Sequence, residues 1–254
     1  MKVKIMLTQE RYKLILELLS QRDAVTVSEL AQYTNISEST IRRDLNALDR
    51  DGRLKKVFGG AVSIRPIEGI NEPAAADRDR LMIEEKEFIA KYAASLIRDD
   101  DFVYIDSGST TLRLTGQIGN TRALFVTNGI VHAQRLISKG LRTIMLGGAV
   151  KPRNSCVIGS DGVRSLERFH FTKAFIGANG VEQDAGYTTP DSEEAVVKET
   201  AIKRSFASFV LADHTKFGKI FSVTFSPLTK CSIITDKLTN SGIADKTVIK
   251  EVSL

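Results

Sequence analysis

The sequence predicts an α/β chain in two parts: an N-terminal winged helix-turn-helix, then a larger, mainly parallel α/β sheet domain. Two patterns carry that expectation. Residues 8–64 hold short amphipathic helical segments followed by a basic hairpin turned on glycines. From Arg78 onward, short unbroken apolar runs alternate with helical segments, the pattern of a parallel sheet covered on both faces. Residues 65–77, with Pro66, Gly69 and Pro73 and little periodicity, read as the linker, which leaves 78–254 as the second domain.

The first domain is organised around Ser37 to Asp51. Ser37 is placed to cap a helix, and Glu38 suits the positive end of the helix dipole. Ile41, Leu45 and Leu48 form one apolar stripe at helical spacing. At about 100° per residue the opposite face carries Ser39, Arg43, Asn46 and Arg50, flanked by Thr40 and Arg42. Arg and Asn are the side chains that pair bidentately with guanine and adenine in a major groove. An ordinary solvated helix face has the same composition, so the neighbouring residues must decide. Upstream, Thr8 can cap a helix through Ser20, Val25-Thr-Val27 suits a short strand, and Ser28 can cap a short helix, Glu29 to Tyr33. Two helices joined by the turn Thr34-Asn-Ile36 make a helix-turn-helix. Downstream, Gly52 closes the helix, and Arg53 to Phe58, Gly59-Gly60 and Ala61 to Ile64 read as a hairpin. Arg53, Lys55 and Lys56 on it suit phosphate contact as a wing; a charged edge strand that resists aggregation is the alternative.

Charge supports a polyanion partner for this head. Residues 1–65 hold 12 Lys and Arg against 8 Asp and Glu, whereas the remainder holds 24 against 23. Hydrophobic content of 42% with 26% charged residues is ordinary for a globular protein, and no apolar run approaches the roughly 18 residues that span a bilayer. Without a secretory leader pattern, the expectation is a cytoplasmic protein with no membrane partner. Cys156, Cys231 and the histidines His132, His170 and His214 share no metal-ligand spacing, so reduced thiols and no metal are expected. Both Met1 and Met6 are natural starts.

In the second domain, helices are expected at Ile83–Ile97, Thr110–Ile118, Ile130–Lys139 and Ser192–Ser205. Strands are expected around Phe102–Ile105, Leu124–Val126, Ile144–Leu146, Ala174–Ile176, Phe209–Leu211 and Ser232–Ile234. Ligands of such sheets bind beyond the carboxyl ends of the strands. Polar or glycine-rich turns recur there: Asp106-Ser-Gly-Ser-Thr-Thr111, Thr127-Asn128, Gly147-Gly148 and Asp213 to Gly218. The first follows a strand and opens a helix, so its hydroxyls and free amides can cradle a phosphate; helix capping by Ser109 or Thr110 explains the same residues without a ligand. Neither a P-loop lysine nor a GxGxxG pattern is present. Glu194 and Lys198, at i and i+4, read first as a surface ion pair. Asp213 can accept from sugar hydroxyls and Lys216 can supply a point charge for phosphate, unless both belong to a solvated loop.

Taken together, these motifs resemble the DeoR-type bacterial transcription regulators. The resemblance rests on Ser39-Thr-Ile-Arg-Arg-Asp-Leu45, Gly52 and Gly59-Gly-Ala61 in the head. In the body it rests on Asp106-Ser-Gly-Ser-Thr-Thr111, Thr127-Asn128, Gly147-Gly148, Glu194-Ala195, Lys198 and Ala212-Asp-His-Thr-Lys-Phe-Gly218. It implies a winged helix-turn-helix joined to a domain shaped like ribose-5-phosphate isomerase that senses a phosphorylated sugar. DNA-contacting residues would be Ser39, Thr40, Arg42, Arg43, Asn46, Arg53, Lys55 and Lys56. Effector-contacting residues would be Asp106, Ser107, Gly108, Ser109, Thr110, Thr111, Thr127, Asn128, Gly147, Gly148, Glu194, Lys198, Asp213 and Lys216, with phosphate held by Ser107, Ser109, Thr110 and Thr111. Tyr187 to Lys198 and Val210 to Asp213 look most similar to repressors of fructose uptake operons, which implies fructose 1-phosphate as effector. His214-Thr215 departs from the small hydroxyl residues more usual before that lysine. The expected protein is a repressor, not an enzyme: it needs no cofactor beyond its effector, binds double-stranded operator DNA and forms a dimer or tetramer. A sugar-phosphate isomerase using Glu193, Glu194, Asp213 and Lys216 is the alternative, and a protein-docking adaptor a third reading.

Overall fold

A computed structural model of the protein describes residues 7–22, 24–63, 75–239 and 241–252. The choice between Met1 and Met6 and most of the expected linker lie outside these residues. The chain divides into two units between Pro66 and Ile67.

The first unit runs α1 (Thr8–Arg22), β1 (Ala24–Thr26), α2 (Val27–Thr34), α3 (Glu38–Arg50), β2 (Lys55–Val57) and β3 (Gly60–Val62). The strands form an antiparallel sheet in the order β1-β3-β2. Ile41, Leu45 and Leu48 of α3 are fully buried against Ile15, Leu30 and Leu54, so the predicted stripe is the core face. Ser37 caps α3, accepting from the Thr40 amide at 3.4 Å. The turn before it passes through Asn35 in the left-handed region (φ 55°), which asparagine tolerates. α2 differs from expectation at its start. Thr26, not Ser28, is its cap, because Thr26 and Glu29 form a reciprocal capping box that places Val27 inside the helix. A buried ion pair that periodicity does not disclose locks α1 to α3, with Arg11 Nε and Nη2 donating to Asp44 at 2.7 and 3.0 Å. Gly60 is required: a Cβ there would sit 2.1 Å from the Val25 carbonyl oxygen.

The second unit begins earlier than its periodicity suggests. Ala75–Asp79 forms a short helix, α4, that starts inside the stretch read as linker (65–77) and runs past its end. There follow α5 (Ile83–Ser95), β4 (Phe102–Ile105), α6 (Ser109–Gln117), β5 (Leu124–Thr127), α7 (Ile130–Ser138) and β6 (Arg142–Met145). Next come β7 (Ala149–Lys151), β8 (Cys156–Ile158), α8 (Gly159–Glu167), β9 (Phe171–Gly177), β10 (Gly180–Glu182), β11 (Gly186–Thr189) and α9 (Ser192–Lys203). β12 (Ser205–Leu211), β13 (Val223–Ser226), β14 (Ser232–Thr235) and β15 (Ile249–Glu251) complete it. The main sheet is parallel throughout, ordered β15-β14-β12-β9-β4-β5-β6. Successive side chains of a strand point to opposite faces, and each face buries its own core. Tyr104, Ala174, Ile176, Val210 and Ile233 serve one core, and Val103, Ile105, Phe175, Leu211 and Ile234 the other. The sequence reading did not name the hairpin β7–β8, the antiparallel sheet β10-β11-β13, α8 or the edge strand β15. From β4 the chain steps outward to β5 and β6, then returns to the other side of β4 at β9. The β4–β9 junction is therefore the topological switch point, where α/β sheets open a crevice. No helix among the described residues is long and apolar enough to cross a membrane.

Candidate functional site

In the first unit, Ser39, Arg42, Arg43 and Asn46 are exposed on α3, and Thr40 is half-buried. Arg53, Lys55 and Lys56 are exposed on the hairpin. Two contacts tie these groups together. Lys56 Nζ donates to Asn46 Oδ1 at 2.6 Å, and the Lys56 amide donates to Asp49 Oδ1 at 2.9 Å, so wing and helix present one surface. Arg42 is paired with Glu38 at 2.9 Å in an exposed contact worth ~0.3–0.5 kcal/mol. A free major groove can compete for an arginine held that weakly.

In the second unit, a crevice opens at the switch point. Ser107, Gly108, Ser109 and Thr110 line it, facing Gly177, Glu194, Lys198, Lys216, Arg78 and Asn154. Gly108 occupies the N-cap position of α6 and no side chain caps the helix. Capping by Ser109 or Thr110 therefore does not account for this loop, and the first turn of α6 lines the crevice with no side-chain cap among the described residues. Glycine at 108 and 177 lets the two strand ends approach, with a Cβ at Gly108 falling 3.6 Å from the Gly177 Cα.

Charges in the wall are arranged in pairs across the sequence. Lys198 Nζ lies 2.5 Å from Asp106 Oδ2 and donates to the Gly177 carbonyl at 3.1 Å. The same Asp106 oxygen accepts from the Gly177 amide at 3.0 Å. Glu194 Oε1 accepts from Lys151 at 2.6 Å and from Asn154 at 2.6 Å, and Lys151 also reaches Asp191 at 2.8 Å. The expected surface pair Glu194–Lys198 is thus corrected. Both side chains are buried, and each is committed to a partner on another element, because α9 packs with this face inward. Burial alone would weaken the Lys151 charge, but its hydrogen bonds to Asp191 and Glu194 outweigh that and hold its pKa above the usual lysine value. Burial lowers the pKa of Lys216 and of Arg78.

Other residues assigned to the site stand behind it. Thr111 is fully buried, and its hydroxyl is spent on the Asp106 and Gly108 carbonyls at 2.5 and 2.8 Å, so it holds the loop rather than facing the crevice. His132 supports the same loop, its Nε2 3.0 Å from the Gly108 carbonyl and 3.2 Å from Thr111 Oγ1. Burial lowers its pKa to about 4, which makes it a neutral structural group. Thr127 and Asn128 are buried: Thr127 Oγ1 accepts from the Gly129 amide at 3.1 Å, and Asn128 donates to the Val157 carbonyl at 3.2 Å, fastening β5 to the β7–β8 hairpin. Gly147 and Gly148 do not line the crevice; Gly148 (φ 144°) instead turns the chain into β7 against Val157. Asp213 is fully buried. Its Oδ1 accepts from the Thr215 amide at 3.1 Å, while Oδ2 has no hydrogen-bond partner among the described residues and lies 4.0 Å from Lys216 Nζ. Arg78, Asn154 and Lys151 were not predicted. They stand among other charged or polar residues in short stretches that carry no motif, and the partners described above arrive only with folding. Burial raises the pKa of Cys156 to about 11 and of Cys231 to about 12, so both are inert thiols. Glu85, His214 and Asp236 bring ligand-type atoms within 4.8 Å of one another, but His214 Nδ1 is already hydrogen-bonded to Asp236 Oδ2 at 2.6 Å.

Comparison with known proteins fits both sites. A family model described as a DeoR-like helix-turn-helix domain matches residues 11–66, and one described as the DeoR C terminal sensor domain matches residues 81–237. The chain belongs to the DeoR family. It is a transcription regulator rather than an enzyme: the first unit is its DNA-binding domain and the second its sensor domain for a small molecule. A regulator named FruR of Bacillus subtilis, itself uncharacterised, is 41% identical over 251 residues, 97% of this chain and 99% of the relative. A lactose phosphotransferase system repressor of Staphylococcus epidermidis is 31% identical, covering 89% of this chain and 91% of its own. Ribose 5-phosphate isomerase A of Methanocaldococcus jannaschii overlays 52% of this chain and 53% of its own at a TM-score of 0.40 and 16% identity, too loose to bear on function.

Proposed function

We propose that this DeoR-family regulator represses a sugar uptake or catabolism operon under the control of a phosphorylated sugar, with fructose 1-phosphate the first candidate. The observation that carries the reading is the uncapped N-terminus of α6, opening with Ser107, Ser109 and Thr110 onto a crevice that also presents Lys198 and Lys216. Free helix amides, short hydroxyls and cations are the groups that take a phosphate dianion. Asp213, fully buried beside Lys216, stands behind the crevice, where its charge helps keep that lysine protonated for a phosphate. The names of the two relatives, FruR and a lactose phosphotransferase repressor, favour a sugar delivered as its phosphate. In the head, Arg43 and Asn46 read base edges while Arg53, Lys55 and Lys56 hold phosphates. Helix-turn-helix proteins pair to match two half-sites, so the working form is at least a dimer.

The test is fluorescence anisotropy of the full chain on DNA from upstream of its own gene at fixed salt. Fructose 1-phosphate, fructose 6-phosphate, ribose 5-phosphate and unphosphorylated fructose are titrated separately. A sequence-specific complex altered by one phosphorylated sugar and not by fructose is the expected result. A complex indifferent to every phosphorylated sugar overturns the effector assignment.

A further inference from the structure

The exposed face of α3 and the wing meet at one side-chain hydrogen bond, Lys56 Nζ to Asn46 Oδ1 at 2.6 Å. The backbone on both sides of it is fixed. β2 is an edge strand with Lys56 opposite Ala61 of β3, and the Lys56 amide donates at 2.9 Å to Oδ1 of Asp49, one turn along α3 from Asn46. β3 is in turn held to β1, where Gly60 leaves no room for a Cβ against the Val25 carbonyl oxygen. The backbone from which Lys56 extends is therefore fastened beside Asn46 independently of the exposed side-chain bond.

Chemistry decides which way the Asn46 amide faces. An ammonium has three donors and no acceptor, so only the carbonyl oxygen of the amide can meet it. Oδ1 is thus occupied, and the Nδ2 hydrogens, which have no acceptor among the described residues, are the free end of the group. Asparagine pairs with adenine through both atoms, Oδ1 accepting from N6 and Nδ2 donating to N7. With Lys56 on Oδ1, an adenine amino group would have to bring its hydrogens beside an ammonium. Guanine instead offers two acceptors on one edge, N7 and O6, and lysine is itself a usual partner for them. Cytosine shows only a donor there, and thymine one acceptor beside a methyl group. What Asn46 and Lys56 present together is donors, the Nδ2 hydrogens and the remaining hydrogens of the ammonium.

We infer that Asn46 and Lys56 form one donor-only base reader that selects guanine over adenine, which gives Lys56 a part in specificity beyond the phosphate contact assigned to the wing. The inference rests on the reading above that α3 reads base edges in the major groove. No hydrogen bond joins Lys55 to α3 among the described residues, so the neighbouring lysine serves as the control.

The test uses the full chain and DNA from upstream of its own gene, with each base pair of the bound site replaced in turn by the other three and affinities read by anisotropy at fixed salt. The position read by Asn46 is the one whose preference Asn46→Ala abolishes. There the wild type is expected to favour guanine over adenine by about tenfold or more, and to bind 7-deazaguanine, which lacks the N7 acceptor, more weakly than guanine. Lys56→Met keeps the stem and removes the ammonium. It is expected to cut the guanine preference to about threefold or less, or to turn it to adenine, with preferences elsewhere in the site kept. Lys55→Met should weaken every sequence alike. Adenine favoured by the wild type at the Asn46 position, or no position that answers to Asn46→Ala, overturns the inference. So does a Lys56→Met protein that binds all sequences more weakly with its guanine preference intact. If Lys56→Met does not fold, Asn46→Asp decides: it keeps an acceptor for Lys56 but has no Nδ2 hydrogens, and an undiminished guanine preference overturns the reader. A wild-type protein without any sequence-specific complex strikes instead the reading of α3 as the base-contacting helix.

Discussion

Replacing Lys198 by Met is the sharpest perturbation of the sensor. Lys198 and Asp106 are 6% and 1% exposed, and their charged atoms lie 2.5 Å apart. Met fills similar volume but removes the ammonium, leaving Asp106 buried with the Gly177 amide, at 3.0 Å, as its one remaining donor among the described residues. Breaking a buried pair by removing one partner costs about 3–5 kcal/mol, much of it the penalty for the uncompensated charge left behind. Asp106→Asn should cost less, about 1–3 kcal/mol, because Lys198 keeps the Gly177 carbonyl. The double variant leaves no orphaned ion, so it should lie closer to wild type than Lys198→Met alone, a coupling that a double-mutant cycle measures directly. The chain has no Trp, so circular dichroism in urea is the natural probe, with the two units allowed separate transitions. A loss below about 1 kcal/mol for Lys198→Met, or strict additivity in the cycle, would refute the claim that this pair is a buried, coupled element of the site.

In the head, Arg43→Ala should cost about 1–3 kcal/mol of operator affinity and relax base preference, whereas Lys55→Ala should weaken all sequences alike and reduce the salt slope; anisotropy on matched and scrambled DNA tells them apart. His132 binds its proton only near pH 4 when folded but near 6.5 when unfolded, so its contribution is fully present above pH 6.5 and is lost as pH falls towards 4. The loss is about 3 kcal/mol in all, and His132→Gln should flatten that part of the stability–pH curve. Gly60→Ala should destabilise the DNA-binding unit by at least about 1 kcal/mol in a thermal melt, since the new Cβ meets the Val25 carbonyl oxygen at 2.1 Å. Asp213→Asn should lower the Lys216 pKa further, because the neighbouring carboxylate is what opposes the effect of burial, so sugar-phosphate affinity measured by calorimetry should fall off at a lower pH than in the wild type.

What the sequence disclosed follows from how local each signal is. The buried stripe of α3, its Ser37 cap and the central strands all depend on periodicity or neighbours within a few residues, and they stand where expected. Ser107 to Thr110 were legible for the same reason, as hydroxyls packed between a strand and a helix. The hairpin β7–β8 was not, because its strands of three residues each, Cys156–Ile158 wholly apolar, are too short to show a period. Nor were the ion pairs. Lys198 meets a carboxylate 92 residues away, Lys151 one 43 residues away, and Arg78 an amide 76 residues away. The i, i+4 spacing of Glu194 and Lys198 even misdirected the reading, since helix spacing shows that two charges can meet but not which way the helix faces.

That hidden layer determines what a ligand can do here. Before any ligand arrives Asp106 is paired with Lys198, and Glu194 and Asp191 share Lys151, so the crevice wall holds its shape without the effector. An incoming phosphate need not break those pairs, because the α6 amides, the Ser109 and Thr110 hydroxyls and Lys216 lie outside them. Preorganised donors of this kind bind an anion at little reorganisation cost, which favours affinity but by itself moves nothing. A regulator also needs one contact that differs between its states.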